Sequence, residues 1–225
     1  MTFSLVARDE ATGDFGMVVT SSSPAVAARC VHLRAGIGGA ASQNITNPAL
    51  GTTLLDLLEA GADADEALAK VIASAPLVSY RQLTVIDDAG RTAAFSGDGT
   101  LGTHRTVARA GVVAAGNLLS SPGVVDAMVD AYLQAAGRPF EERLLAGLLA
   151  GRDTGGEEGP EHSAGLVVVG TAGWPETDLR VDWAEEDPIG ELERLRQLWA
   201  PQKQDYLTRA VDPTAAPSYG VPGDL

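Results

Sequence analysis

The sequence predicts one α+β domain in which two mainly antiparallel sheets pack together beneath covering helices. Two hairpin signals, helical stretches that come in pairs, and a return to strands near the end carry that reading. Thr2 to Arg8 alternates polar and apolar residues, Ala11 to Asp14 supplies turn chemistry, and Phe15 to Thr20 resumes an apolar, β-branched run, so the chain opens on a hairpin. Gly36 to Gln43 is small and apolar enough for a buried strand, and Asn44 to Pro48 interrupts it. Leu54, Leu55, Leu57 and Leu58, then Ala67, Leu68, Val71 and Ile72 after a break at Gly61, have helical spacing, with Asp63 as N-cap of the second helix. Gln82 to Asp87 and Thr92 to Ser96 flank Asp88-Ala89-Gly90-Arg91, the second hairpin signal.

Gly111 to Leu119 reads as a central strand. Val124 to Ala136 and Phe140 to Ala150 read as helices, separated by Gly137-Arg138-Pro139. A polar, glycine-rich loop from Asp153 to Glu161 precedes an apolar strand from Ser163 to Gly170, and Leu179 to Trp183 is a further strand candidate. Pro188 to Leu198 closes the pattern with a charged amphipathic helix. The boundaries that follow are a domain over 1–200 and a proline-rich tail over 201–225 that packs on the core or on a neighbouring subunit.

Composition narrows the function. The 225 residues carry a formal charge of −14, whose average field repels phosphate backbones, so nucleic acid is excluded as an expected partner. No apolar stretch reaches the roughly 18 residues that a spanning helix needs, and the first residues lack the pattern of a secretory signal. The expectation is a cytoplasmic protein without membrane contact. A single cysteine, Cys30, has no disulfide partner in the chain, and His32, His104 and His162 are too scattered for a metal motif. Gly97-Asp98-Gly99-Thr100-Leu101-Gly102 matches a dinucleotide fingerprint, but a strand-like run and not a helix follows it, so no cofactor is expected.

Thr2 carries the chemistry. If Met1 is removed, the chain begins with a hydroxyl whose own α-amino group lies within reach. An α-amine has a pKa of about 7.7–8.0, so near neutrality part of it can accept the hydroxyl proton directly or through one water. No histidine is then required. A serine such as Ser22 or Ser163 is a third possibility, without an evident partner histidine.

Thr2-Phe3-Ser4-Leu5-Val6-Ala7, a turn, and Gly16-Met17-Val18-Val19-Thr20-Ser21-Ser22 resemble the opening hairpin of proteasome-type N-terminal nucleophile (Ntn) hydrolases. Over almost the whole chain, Thr2 to Asp9, Ala41-Ser42-Gln43, Tyr80-Arg81-Gln82-Leu83, Gly116-Asn117-Leu118-Leu119 and His162-Ser163-Ala164 are similar to an uncharacterised bacterial and archaeal family, domain of unknown function 1028, of the Ntn hydrolase superfamily. That resemblance implies a four-layer αββα sandwich, self-association into a homo-oligomer, and hydrolysis of a small linear or cyclic amide. The proteasome-type acid after the second strand and lysine on a following strand have no counterpart. Thr20-Ser21-Ser22 occupies the first place, and Lys70 falls in a helix.

The expected catalytic residues are Thr2, as nucleophile and base, and Asn117, whose amide donates to a developing oxyanion. Gln43 and Asn44 are expected to bind the substrate amide or to orient the Thr2 amine, with Ser22 and His162 lining the site. Arg81 is expected to clamp a substrate carboxylate. The alternative is a non-catalytic binding or scaffold protein of the same fold, its first strand keeping Met1.

Overall fold

The structure is a computed structural model and describes residues 1–221. Its elements are β1 (Thr2–Arg8), β2 (Phe15–Ser21), α1 (Ala27–Cys30), β3 (Val31–Arg34), β4 (Gly38–Asn44), α2 (Ala49–Glu59), α3 (Ala64–Ser74), β5 (Arg81–Asp87), β6 (Thr92–Ser96), β7 (Arg105–Arg109), β8 (Val112–Asn117), α4 (Gly123–Gln134), α5 (Phe140–Asp153), β9 (Ser163–Val169), β10 (Pro175–Val181), α6 (Pro188–Trp199) and α7 (Lys203–Val211). One sheet has the order β10-β9-β2-β1-β8-β7 and the other β3-β4-β5-β6, with every pairing antiparallel.

Side-chain alternation along the strands builds the layers. On β1, Phe3, Leu5 and Ala7 meet α4, α5 and α6 in one buried cluster. Ala40, Leu83, Val85 and Ala93 of the smaller sheet meet α2 and α3 in another. Between the sheets lies a third cluster, with Val6, Met17, Val19, Ala41, Ile86 and Val113. The result is a four-layer αββα sandwich. No helix of the described residues is long and apolar enough to cross a membrane.

Two glycines let α5 settle on β1. A Cβ on Gly151 would stand 3.0 Å from Phe3 Cε2, and one on Gly147 would stand 3.1 Å from Leu5 Cδ1 and 3.0 Å from the Met128 carbonyl oxygen. The helix therefore packs directly on the first strand and fixes where Thr2 stands.

Three features depart from the sequence reading. A one-turn helix and a short edge strand, α1 and β3, lie between β2 and β4, where the sequence has no run long enough to signal them. β10 begins at Pro175 and not at Leu179; as an edge strand it tolerates a proline and an exposed, polar alternation. The tail contains α7, bounded by Pro201 and Pro213. Lys203 meets Glu141 at 2.7 Å and Glu176 at 3.7 Å, and Tyr206 stacks on Trp199, which ties this helix to its own core. The tail expected over 201–225 lies outside the described residues from 222 onward.

Asp87, 2% exposed, ends β5 and closes the hairpin: one carboxylate oxygen accepts from Ala89 N and Arg91 N, the other from Ala64 N at the start of α3 and from Arg91 Nε. Asp87→Ala leaves several of these donors without a partner and should cost about 2–4 kcal/mol of unfolding free energy in urea. A loss under about 1 kcal/mol would mean that water replaces the carboxylate at this turn.

Candidate active site

The space between the sheets is apolar at one end and polar at the other. At the polar end, the inward-facing positions are Thr2 and Ser4 of β1, Ser21 of β2, Gln43 of β4, Gln82 of β5 and Asn117 of β8, all buried. β1 places Thr2 opposite Asn117, and β4 places Gln43 opposite Gln82.

One main-chain carbonyl sets the direction of the hydrogen bonds that link Gln82, Gln43, Asn117 and Ser4. Gly116 O can only accept, so Gln82 turns its Nε2 to it at 2.9 Å and also donates to Ser96 Oγ at 2.9 Å. Gln82 Oε1 must then accept, and it does so from Gln43 Nε2 at 2.8 Å and from Asn117 Nδ2 at 3.1 Å. Gln43 Oε1 is left to accept from Ser4 Oγ at 2.6 Å. Asn117, 1% exposed, is left with one further N–H and with an Oδ1 that has no partner.

Thr2 Oγ1 stands 3.3 Å from Ser21 Oγ. Both hydroxyls donate to the carbonyl oxygen of Met1, Ser21 at 2.5 Å. Ser21 Oγ also accepts from Ser23 N and lies 2.9 Å from Ser23 Oγ. The place that the Met1 carbonyl oxygen fills is a polar pocket shared by two hydroxyls.

Glu157, in the loop between α5 and β9, completes the surroundings. It is 5% exposed; Oε2 accepts from Ser22 N at 3.1 Å, and Oε1 is buried without a partner. Burial pushes its carboxyl up to about 8; the chain's amino group and Ser22 pull against the rise and Glu161 adds to it. The sequence reading missed this residue. Its only signal is an acid in a glycine-rich loop, and such loops are usually solvated.

The structure therefore gathers Thr2, Asn117 and Gln43, and brings Ser22 in through its main chain. Asn44 and Arg81 face each other across β4 and β5, with their side chains engaged locally. Asn44, at a φ of 70°, donates to Tyr80 O at 2.7 Å and accepts from Leu101 N at 3.2 Å. Arg81 donates to Ile45 O from one guanidinium nitrogen, while its Nε is buried without a partner. His162 gives its main-chain N–H to Ser21 O, while its ring stacks on Trp183 with centroids 4.3 Å apart and Nδ1 lies 2.8 Å from Ala184 O. Ser163 Oγ donates to Ser23 O at 2.7 Å, a structural contact. Gly97 to Gly102 is a turn packed on Ser79, and β7 follows it. Among the described residues no group of His, Cys, Asp and Glu side chains is placed to hold a metal ion.

The four-layer αββα sandwich is the fold that the resemblance implies. The model of a family of unknown function, DUF1028, matches residues 2–192, and the chain belongs to that family. A crystal structure of protein SPO2555 from Silicibacter pomeroyi, described by the same family, is 30% identical, covers 92% of this chain and 94% of its own, and superposes with a TM-score of 0.85. Anbu (ancestral beta-subunit) from Yersinia bercovieri is 11% identical over 97% of this chain and 100% of its own, with a TM-score of 0.43. No curated protein matches the chain.

Gln82→Ala strips partners from Gln43, Asn117 and Gly116 O together and should cost about 3–5 kcal/mol, measured by urea denaturation; a cost no larger than that of a surface substitution would discount the network. The Glu157 shift has a definite sign. Below the ordinary glutamate value of 4.5, folded and unfolded chains are both protonated there. As pH rises to about 8 the unfolded chain loses that proton first, so the carboxyl lowers stability progressively across this window. Melting curves of Glu157→Gln and wild type should accordingly diverge in favour of the variant from pH 4.5 to 8, by about 2–4 kcal/mol at the upper end. A pH-independent gap would contradict the shift.

Proposed function

We propose that this protein hydrolyses a small linear or cyclic amide, with Thr2 as the nucleophile once the Met1–Thr2 bond has been cut. The observation that carries the reading is the position of Thr2 Oγ1, buried at the polar end of the inter-sheet space, 3.3 Å from Ser21 Oγ and opposite Asn117. The uncovered amine takes the proton of Oγ1, directly or through a water where the Met1 carbonyl oxygen now lies, and Oγ1 attacks the substrate carbonyl carbon. The carbonyl π electrons move to its oxygen, and the remaining N–H of Asn117 donates to that oxyanion, a contribution of about 3–4 kcal/mol at comparable sites. The C–N bond then breaks as the ammonium returns its proton to the leaving nitrogen. Water, deprotonated by the same amine, hydrolyses the Thr2 ester.

A second reading is favoured by the way Met1 is held. Its carbonyl oxygen is bonded by both hydroxyls, and its side chain packs on Gly159, where an added Cβ would lie 3.1 Å from Met1 Cε. A chain that keeps Met1 has this pocket filled and would act as a binding or scaffold protein.

Intact mass of the protein from its native host separates the two. Loss of everything before Thr2, with a Thr2→Ala variant that folds normally but hydrolyses a panel of small amides at least about a thousandfold more slowly, supports the enzyme. Thr2→Ser should keep measurable turnover. Full retention of Met1 overturns the hydrolase and leaves the binding protein.

A further inference from the structure

We propose that Glu157 is the positioning residue that receives the Thr2 α-amino group when the Met1–Thr2 bond is cut and holds it toward Thr2 Oγ1; this rests on the reading of Thr2 as nucleophile. The carboxylate is fixed on one side only. Ser22 N holds Oε2, whereas Oε1 is buried with no donor, a vacancy that costs about 1–3 kcal/mol if nothing fills it. A donor for it has to come from close by; besides Ser22, whose main chain and side chain both act on the carboxyl, the group of opposite charge acting on it is the chain's amino group.

The loop that carries Glu157 is anchored around the first residue. Ser120 N donates to Gly156 O at 3.0 Å, Glu158 N to Leu118 O at 2.9 Å, and Leu119 bridges to Glu157 as a short antiparallel pair. Glu161 Oε1 accepts from Glu157 N at 3.1 Å. Two residues beyond Glu157, Gly159 lies against the Met1 side chain, so the same loop covers what must leave and carries the group that meets what is uncovered.

The charge pattern favours an acid in this role. The charged groups that act on Glu157 are the chain's amino group and Glu161. Lysine is missing from the pocket: Lys70 is exposed on α3 and Lys203 pairs with Glu141 on the outer helix layer. A carboxylate beside the amine stabilises the ammonium that forms as Oγ1 gives up its proton, and a carboxyl that retains its own proton to high pH can share one proton with that amine near neutrality. Asn117 Oδ1, buried and without a donor, is a second acceptor opposite Thr2.

The test uses full-length protein prepared to begin at Thr2, by cleaving a fusion immediately before it, as wild type, Glu157→Gln and Glu157→Asp. The pH dependence of acetylation of the Thr2 amine by acetic anhydride, read from the mass of the N-terminal peptide, reports the amine pKa. The expected result is a midpoint lower by about one pH unit in Glu157→Gln than in wild type, with Glu157→Asp in between. Coincident midpoints in wild type and a folded Glu157→Gln, or a Glu157→Asp midpoint no closer to wild type than that of Glu157→Gln, would overturn the assignment. Absence of any acyl-Thr2 adduct or hydrolysis in this protein would refute the hydrolase reading while leaving the titration result intact.

Discussion

The hydrogen bond from Gln82 Nε2 to the carbonyl oxygen of Gly116 is the contact on which the site is organised. It joins the two sheets, from β5 to β8, where polar side chains replace hydrocarbon between them. A carbonyl cannot donate, so this one bond fixes the rotamer sense of Gln82, then of Gln43 and Asn117, and finally the direction of the Ser4 hydroxyl. An amide network left free to flip would present donors and acceptors interchangeably beside Thr2. Here Asn117 always shows the same N–H and the same unpaired oxygen.

Position comes from packing and polarity from this network. Gly147 and Gly151 admit α5 onto β1, and the buried Phe3 and Leu5 lock the strand on its helix side. Thr2, one residue before Phe3 on β1, has the opposite strand parity and therefore points the other way, into the inter-sheet space, beside Ser21 and opposite Asn117. The hydrophobic face of the strand thus aims its hydroxyls. At the far end of the same layer Val6, Met17 and Ile86 exclude water, so the polar groups are confined to the mouth of the sandwich.

Charge is arranged just as locally. The chain is strongly acidic, yet most arginines pair with nearby acids, as Arg34 does with Asp56 and Glu59, or donate to main-chain carbonyls, as Arg29 does to Pro24 O. Glu157 is different: it is buried, half-partnered and under the influence of the amino terminus's charge. A group with these properties is expensive to keep in a fold whose only demand is stability, and an amine within its reach relieves that expense.

Much of the architecture was legible because it is written in short-range periodicity. Alternation gave the Thr2–Arg8 and Phe15–Thr20 hairpin, helical spacing gave the paired helices, and Asp63 caps α3 by accepting from Glu66 N. Thr2 and Asn117 were singled out because a hydroxyl beside an α-amine and an amide at a strand end are chemical features of single residues. What the sequence alone could not decide is which residues share the pocket. Gln43 and Gln82 meet only through sheet register, Arg81 and Asn44 are drawn to loop carbonyls by their place at the rim, and Glu157 comes under the charge of the amino terminus from across more than half the chain. Those neighbours are set by strand order and by which face each strand buries, and both depend on contacts far apart in sequence. Local patterning determined the elements and the candidate nucleophile; only the packing of the two sheets decided the partners that surround it.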